Sequence, residues 1–174
     1  MRKLLFQSLV RAPLTEPAPA AEEAALAELA RQVDRAARRR LGRSLSIREV
    51  DAGSCNGCEL EIQALNNPYY GIERFGVHFV ASPRHADMLL VTGPVSRHME
   101  AALRRTYDAT PDPKLVIAVG ECGANGGEFG VSYASCGAVS NVIPVDAVIR
   151  GCPPAPLDLM RGILEAISQR AVSK

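Results

Sequence analysis

The sequence predicts an α/β protein whose open, mostly parallel sheet carries helices on both faces. Short apolar segments alternate with helical ones from residue 45 onward, the order typical of a parallel sheet. Two of these segments, residues 88–91 and 115–119, are apolar without interruption, as expected when helices cover both faces. With 174 residues, the chain is long enough for one domain with a buried core.

The composition is that of an ordinary globular chain, with 47% apolar and 22% charged residues. A formal net charge of +1 argues against a nucleic-acid partner, because dedicated binders are usually strongly basic. No apolar run approaches the roughly 18 residues that can cross a bilayer.

The first ten residues loosely resemble a signal peptide, but the apolar stretch is short, contains Gln7 and runs into Arg11. We interpret it as a cytoplasmic tail. Residues 1–45 are therefore predicted to form a tail and an amphipathic helix, and residues 46–174 the α/β domain. The five cysteines of such a chain are expected to be metal ligands or reactive thiols rather than disulfides.

The amphipathic helix is predicted over residues 22–41, because apolar residues recur there at helical spacing before Gly42. Its far end is dense in arginine: Arg31, Arg35, Arg38, Arg39, Arg40 and Arg43. These arginines form either a solvated face or a contact for an acidic partner or for lipid headgroups.

The remaining elements follow from short apolar runs and helical periodicity. The first strand is the least regular, because Arg48 and Glu49 interrupt its pattern. Strands are predicted at residues 45–50, 77–82, 87–93, 114–121 and 145–151, and helices near 59–67, 95–108 and 156–170.

Four cysteines follow three different strands. Cys55 and Cys58 come after the first strand, Cys122 after the fourth and Cys152 after the fifth. Since the carboxyl ends of parallel strands share one edge of the sheet, where such folds bind ligands, the topology is expected to bring these thiols together. Glycines around Cys122 would let backbone N–H groups approach a cluster, and Pro153 after Cys152 recurs in iron–sulfur sequences.

The residues themselves leave three kinds of site open. Zinc usually takes two short-spaced pairs of ligands, and a redox dithiol needs no further cysteines, so an iron–sulfur cluster is favoured over both. Cys136 is interpreted as a small buried residue outside the site, which leaves four ligands for one four-iron cluster. Nitrogen ligands are not expected, because the three histidines are scattered: His78, His85 and His98.

Four stretches together resemble a known family, the small cluster-bearing subunit of membrane-bound nickel–iron hydrogenases of the hydrogenlyase type. That family is similar to the 20 kDa-type subunit of NADH:quinone oxidoreductase. The stretches are CNGCELE at residues 55–61, SPRHADMLLVTGPV at 82–95, GECGANGGEFG at 120–130 and IPVDAVIRGCPPAP at 143–156.

The resemblance implies a flavodoxin-like fold and one 4Fe–4S cluster, held by Cys55, Cys58, Cys122 and Cys152. It implies an oxidoreductase subunit that exchanges electrons with the active site of a large partner subunit and has no complete active site of its own. Further expected partners are a ferredoxin-like electron-transfer subunit and integral membrane subunits. The expected location is peripheral, on the cytoplasmic side of the cell membrane.

Two details favour the hydrogenase branch of the resemblance. Asn56 and Gly57 separate the first two cysteines, which are adjacent in quinone-reducing members, and the stretch after Cys122 is one residue longer than their usual form. The equivalent subunit of a quinone- or sulfur-reducing complex is the alternative. A zinc-stabilised binding module is an alternative of another class.

Charged residues near the thiols carry weaker predictions. Glu59 is expected to stabilise the first turn of the helix that it opens. Glu61 either does the same or relays protons, since related complexes have a carboxylate at this place. Arg84 and Asp87 are expected to have structural roles, with local pairing as one possibility, and Glu121 to act weakly on the cluster.

Overall fold

The computed structural model describes residues 20–169. The predicted tail before residue 20 lies outside this range. The helices are α1 (Ala20–Leu41), α2 (Gly57–Ala64), α3 (Arg97–Ala109), α4 (Gly120–Asn125) and α5 (Pro156–Gln169), with short 3₁₀ turns at Ile72–Phe75, Pro83–His85, Gly127–Phe129 and Val139–Asn141. The strands are β1 (Leu45–Asp51), β2 (Val77–Phe79), β3 (Met88–Thr92), β4 (Val95–Ser96), β5 (Leu115–Val119), β6 (Ser135–Gly137) and β7 (Ala147–Ile149).

Five strands form one parallel sheet in the order β2-β1-β3-β5-β7. If only these five strands are numbered along the chain, the order is 2-1-3-4-5, that of flavodoxin-like folds. The predicted fold class is confirmed. The C-terminal ends of the five strands lie at one end of the sheet, which we call the carboxyl edge. We call the opposite end, where the strands begin, the amino edge.

The first strand is regular despite its polar residues. β1 is seven residues long and pairs with β2 on one side and β3 on the other. β2 pairs only with residues 45–47, so Arg48 and Glu49 lie in the half of β1 that has β3 as its neighbour. Their polar side chains therefore interrupt the apolar pattern without ending the strand.

Both faces of the sheet are covered, and successive residues of β3 show it. Met88 and Leu90 belong to one apolar cluster, together with buried residues of α1, α2 and α5. Leu89 and Val91 belong to a second cluster, together with Leu103 of α3 and the segment around residues 136–143. The alternation follows from the period of two along a strand.

Helix α1 packs against the same core as the rest of the domain. Its buried stripe runs along one face at helical spacing and includes Leu26, Ala30, Val33 and Ala37. The division of the chain near residue 45 remains a prediction, since this packing does not test it.

The arginines at the end of α1 are mostly paired within the chain. Ion pairs join Arg31 and Arg35 to Glu28, Arg38 to Asp34 and Arg43 to Asp87, while Arg40 donates to the carbonyl of Ile167. Within the part of the chain that the structure describes, Arg39 has no such partner. This pairing favours a solvated face over a surface reserved for lipid.

A small antiparallel sheet of β4 and β6 was not predicted. β4 follows β3 after two residues, so its pairing with β6 places the segment of residues 127–137 at the carboxyl edge. None of the helices within residues 20–169 is both long and apolar enough to span a bilayer.

Candidate metal centre

The four predicted thiols lie beyond the carboxyl ends of three strands. Cys55 follows β1 and Cys58 lies in the first turn of α2, while Cys122 lies in α4 after β5 and Cys152 follows β7. All four are free thiols; Cys55 and Cys152 are exposed, and the other two are half-buried. The parallel topology therefore delivers every predicted ligand to the same edge.

The thiols are close enough to influence one another's charge. The pKa of Cys58 is raised to about 12, most of all by burial and then, in decreasing order, by the charges of Glu59, Cys55, Cys122 and Cys152. Burial also raises the pKa of Cys122, followed by the charges of Cys152 and Cys55. Such mutually repelling thiolates are stabilised when they bind a positively charged metal centre.

Two glycines leave space beside these sulfurs. Gly120 has a φ of +77°, and a Cβ added there would lie 2.6 Å from Cys58 Sγ. Gly127 has a φ of +54°, and its added Cβ would lie 2.5 Å from Cys122 Sγ. Any larger residue would be strained and would occupy the space next to a thiol.

The four thiols are the donors that a four-iron cluster requires. Within residues 20–169, no three histidine, cysteine, aspartate or glutamate side chains are arranged to hold one metal ion. A lone zinc ion would draw its sulfurs to within about 2.3 Å of one point. In a four-iron cluster each iron takes its own cysteine, so thiols on separate turns with glycine beside them suit it.

Glu59 lies in the first turn of α2, as expected, but its carboxylate is buried. It is only 4% exposed, and neither carboxylate oxygen has a hydrogen-bond partner among the described residues. A buried carboxylate without a partner is unfavourable by at least about 1–3 kcal/mol. It is thus an unsatisfied group one residue from Cys58.

Glu49 is a further carboxylate near Glu59, and no sequence pattern indicated a role for it at the site. Its pKa is raised to about 7, most of all by burial and then by the charge of Glu59. Glu49 lies in β1 beyond the last residue that pairs with β2. Of the two glutamates, Glu59 is the one whose charge acts on Cys58.

Two other carboxylates near the motifs, those of Asp87 and Glu61, differ in their contacts. Asp87 is buried and binds Arg43 at 2.6 Å and the N–H of Ser46 at 3.0 Å. The suggested local pair with Arg84 is therefore wrong, although the structural role of Asp87 is confirmed. Glu61 is half-buried and makes no hydrogen bond or ion pair among residues 20–169.

Glu121 and Arg150 join the last two thiol-bearing turns. Arg150 Nη1 lies 3.0 Å from Glu121 Oε2, and the N–H of Glu121 donates to the carbonyl of Gly151 over 3.0 Å. Asn125 donates to the same Glu121 oxygen at 3.4 Å and accepts from the N–H of Gly127 at 2.8 Å. A chain of polar contacts thus connects the turn of Cys152 with that of Cys122.

Cys136 lies apart from the other thiols. It is in β6, within the apolar cluster on the α3 face, and is buried as predicted. Its Sγ donates to Glu100 Oε2 over 3.3 Å, and its pKa is raised by burial and by this bond.

Several large apolar side chains are exposed at the carboxyl edge. Leu60 of α2 is 57% exposed, and Phe129, Val131 and Tyr133 in the segment after Cys122 are 66%, 69% and 97% exposed. We call these four residues the apolar rim. Such a group beside a functional site is typical of a surface that another protein covers.

Sequence comparisons place the chain among subunits of redox complexes. The family model of the NADH ubiquinone oxidoreductase 20 kDa subunit matches residues 55–166, more than half of the chain. The probable membrane-bound hydrogenase subunit mbhJ of Pyrococcus furiosus is 46% identical over 75% of this chain and 78% of its own length. Formate hydrogenlyase subunit 7 of Escherichia coli is 44% identical over 74% of this chain, which spans about half (51%) of that relative.

Solved structures give the same picture of the fold. A chain of the membrane-bound sulfane sulfur reductase, an archaeal respiratory membrane complex, is 37% identical with a TM-score of 0.63, over 76% of this chain and 73% of that one. A chain of an NAD⁺-reducing [NiFe]-hydrogenase has a TM-score of 0.51 at 20% identity, over 69% of this chain and 93% of that one, a likeness of fold alone.

Proposed function

This chain belongs to the NADH ubiquinone oxidoreductase 20 kDa subunit family, and from this premise we propose that it is the electron-transfer subunit of a membrane-bound hydrogenase complex. It carries one 4Fe–4S cluster on Cys55, Cys58, Cys122 and Cys152. The observation that carries the proposal is the convergence of these free thiols at one edge of the sheet. It is an oxidoreductase subunit without a complete active site of its own.

Each part of the edge has a role in this proposal. When bound, the cluster supplies one-electron transfer. The four thiolates hold the irons, and the glycines at residues 120 and 127 keep side chains out of the space beside the sulfurs. Because the thiols come from three turns, the rigid parallel sheet fixes their spacing.

The partner is proposed to bind at the carboxyl edge. Electrons have to pass between the cluster and the partner's active site, so the partner should cover the exposed thiols. The apolar rim borders them and offers a surface whose burial would favour binding. The ferredoxin-like and integral membrane subunits are further proposed partners, with the chain peripheral on the cytoplasmic side of the membrane.

Hydrogen chemistry is favoured because the most informative relatives are named for it. The Pyrococcus furiosus and Escherichia coli relatives are named as hydrogenase and formate hydrogenlyase subunits, at 46% and 44% identity. The second candidate is a sulfur-reducing complex, supported by the 37% identity to a chain of the sulfane sulfur reductase. Nickel in the purified complex would decide for the first, and a nickel-free complex that reduces sulfur compounds would decide for the second.

Metal analysis of the full chain, purified without oxygen, tests the cluster and its ligands. We expect about four irons and four acid-labile sulfides per chain, as the cluster type requires. Cys152→Ala should lose most of this iron, whereas the matched variant Cys136→Ala should retain it. Zinc in place of iron, or a full cluster in Cys152→Ala, would contradict the proposal.

A further inference from the structure

Neither stability nor packing explains the position of the ion pair between Arg150 and Glu121. The side chains of Arg150 and Glu121 are 68% and 36% exposed, and ion pairs this exposed contribute little to folding. Glu121 precedes Cys122, and Arg150 stands two residues before Cys152. The pair therefore brings one positive and one negative charge to the two turns that carry the last two thiols.

The carboxylate of Glu121 lies next to a predicted ligand. Glu121 directly precedes Cys122 in α4, and its Oε2 accepts hydrogen bonds from Arg150 and Asn125. Glu59 adds a further carboxylate, one residue from Cys58. Arg150 supplies a positive charge that is bonded to one of these carboxylates at 3.0 Å.

We propose that Arg150 raises the reduction potential of the bound cluster by neutralising the Glu121 carboxylate beside Cys122. Reduction adds an electron to a centre already surrounded by thiolates, so every uncompensated negative charge nearby makes reduction less favourable. Arg150 acts through Glu121 and is thus a positioning residue. This inference rests on the proposed function, because it needs the cluster to be present.

The backbone keeps the pair in register with the sulfurs. The N–H of Glu121 donates to the carbonyl of Gly151, which lies between Arg150 and Cys152. Asn125 holds the same Glu121 oxygen and the N–H of Gly127. None of these contacts involves the side chain of Arg150, so we expect them to remain when Arg150 is replaced.

The test is a charge cycle in the full chain with its cluster incorporated anaerobically. The reduction potential is measured by redox titration followed by electron paramagnetic resonance. Arg150→Gln should shift the potential to a more negative value, and Glu121→Gln should shift it to a more positive one. The double variant should return close to the original value, because the two charges compensate each other.

Salt dependence and a matched control separate charge from structure. Because the pair is exposed, the shift caused by Arg150→Gln should shrink at high ionic strength, which a purely structural role would not produce. Arg38→Gln removes an equal charge from an exposed ion pair of 2.9 Å, three residues before α1 ends near the amino edge, and should leave the potential unchanged.

Three outcomes would overturn the inference. One is an Arg150→Gln chain with four irons and an unchanged potential, and another is a shift of both single variants in the same direction. If Arg150→Gln binds no cluster, Glu121→Gln decides by the sign of its shift, and a negative or absent shift is the third. An original chain that binds no cluster instead overturns the proposed function itself.

Discussion

The two edges of the sheet differ in whether their buried carboxylates have hydrogen-bond partners. At the amino edge, Asp87 is buried and uses both carboxylate oxygens, one with Arg43 and one with the N–H of Ser46. Asp146 similarly accepts from the N–H of Val116 at 2.8 Å, just before β7 begins. At the carboxyl edge, Glu59 is as deeply buried as Asp87 but has no hydrogen-bond partner among the described residues.

The two edges also differ in their exposed apolar side chains and free thiols. The carboxyl edge carries free thiols and the exposed apolar rim, whereas the arginines near the amino edge are mostly paired within the chain. A chain that folds for its own stability satisfies buried polar groups, as the amino edge does. The unsatisfied groups at the other edge therefore support the proposal that a cofactor and a partner bind there.

The largest expected effect tests the carboxyl edge as a partner surface. Tyr133→Asp places a charge at the most exposed member of the apolar rim, at 97% exposure. If the partner covers this residue, binding of the two subunits should weaken by about 2 kcal/mol, roughly thirtyfold. The measurement is the dissociation constant of the two purified subunits.

The control for this variant is an exposed tyrosine at the other edge. Tyr69 is 48% exposed and lies in the turn that leads towards the start of β2. Tyr69→Asp should bind the partner with the original affinity. Equal weakening by both variants would show that the two edges do not differ in this way.

A smaller effect is expected at Glu61 in α2, for which a proton relay is one of the two predicted roles. Glu61→Gln keeps the size of the side chain and removes its ability to carry a proton, so a relay predicts that turnover of the assembled complex falls by about tenfold. Iron content should stay the same. Glu73→Gln, an exposed carboxylate in the Ile72–Phe75 turn, is the control and should keep full turnover. Full turnover in Glu61→Gln would leave only a role in the helix.

The smallest effect concerns Glu49, whose pKa is raised from 4.5 to about 7 in the folded chain. The carboxyl group of Glu49 binds its proton more tightly in the folded state than in the unfolded state. The stability that this proton contributes is therefore fully present below about pH 4.5 and is lost as the pH rises through about 7. Glu49→Gln should remove this decline and stabilise the chain at pH 8 by about 1 kcal/mol, because partial exposure screens the effect.

Chemical unfolding of Glu49→Gln and the original chain at pH 4 and pH 8 measures this difference. The two should be alike at the lower pH and differ at the higher one. An equal gain in the free energy of unfolding at both pH values would mean that the packing of Glu49, and not its repulsion by Glu59, limits stability at this edge.

Much of the fold could be predicted from the sequence because it depends on local pattern. The uninterrupted apolar runs at residues 88–91 and 115–119 became β3 and β5, the central strands that are buried on both faces. The cysteines were predicted to meet at one edge because parallel strands place their carboxyl ends together, and the structure brings them there.

Other features depend on contacts between distant segments. β4 and β6 are two and three residues long, too short to give a pattern, and they form only because they meet each other. The partner of Asp87 is Arg43, 44 positions away, and not the nearby Arg84. Opposite charges next to Cys122 and Cys152 were a signal for the pair of Glu121 and Arg150, but only once the two turns were known to be neighbours.

The sequence alone determined the five strands of the parallel sheet and the family, and it predicted the set of thiols, because these follow from periodicity and from motifs within short stretches. Tertiary structure decided which charges are compensated: Asp87 obtained a partner, Glu59 did not, and Glu121 received Arg150. The physical reason is that burial and pairing arise from segments far apart in the chain, which approach one another only when the sheet is assembled.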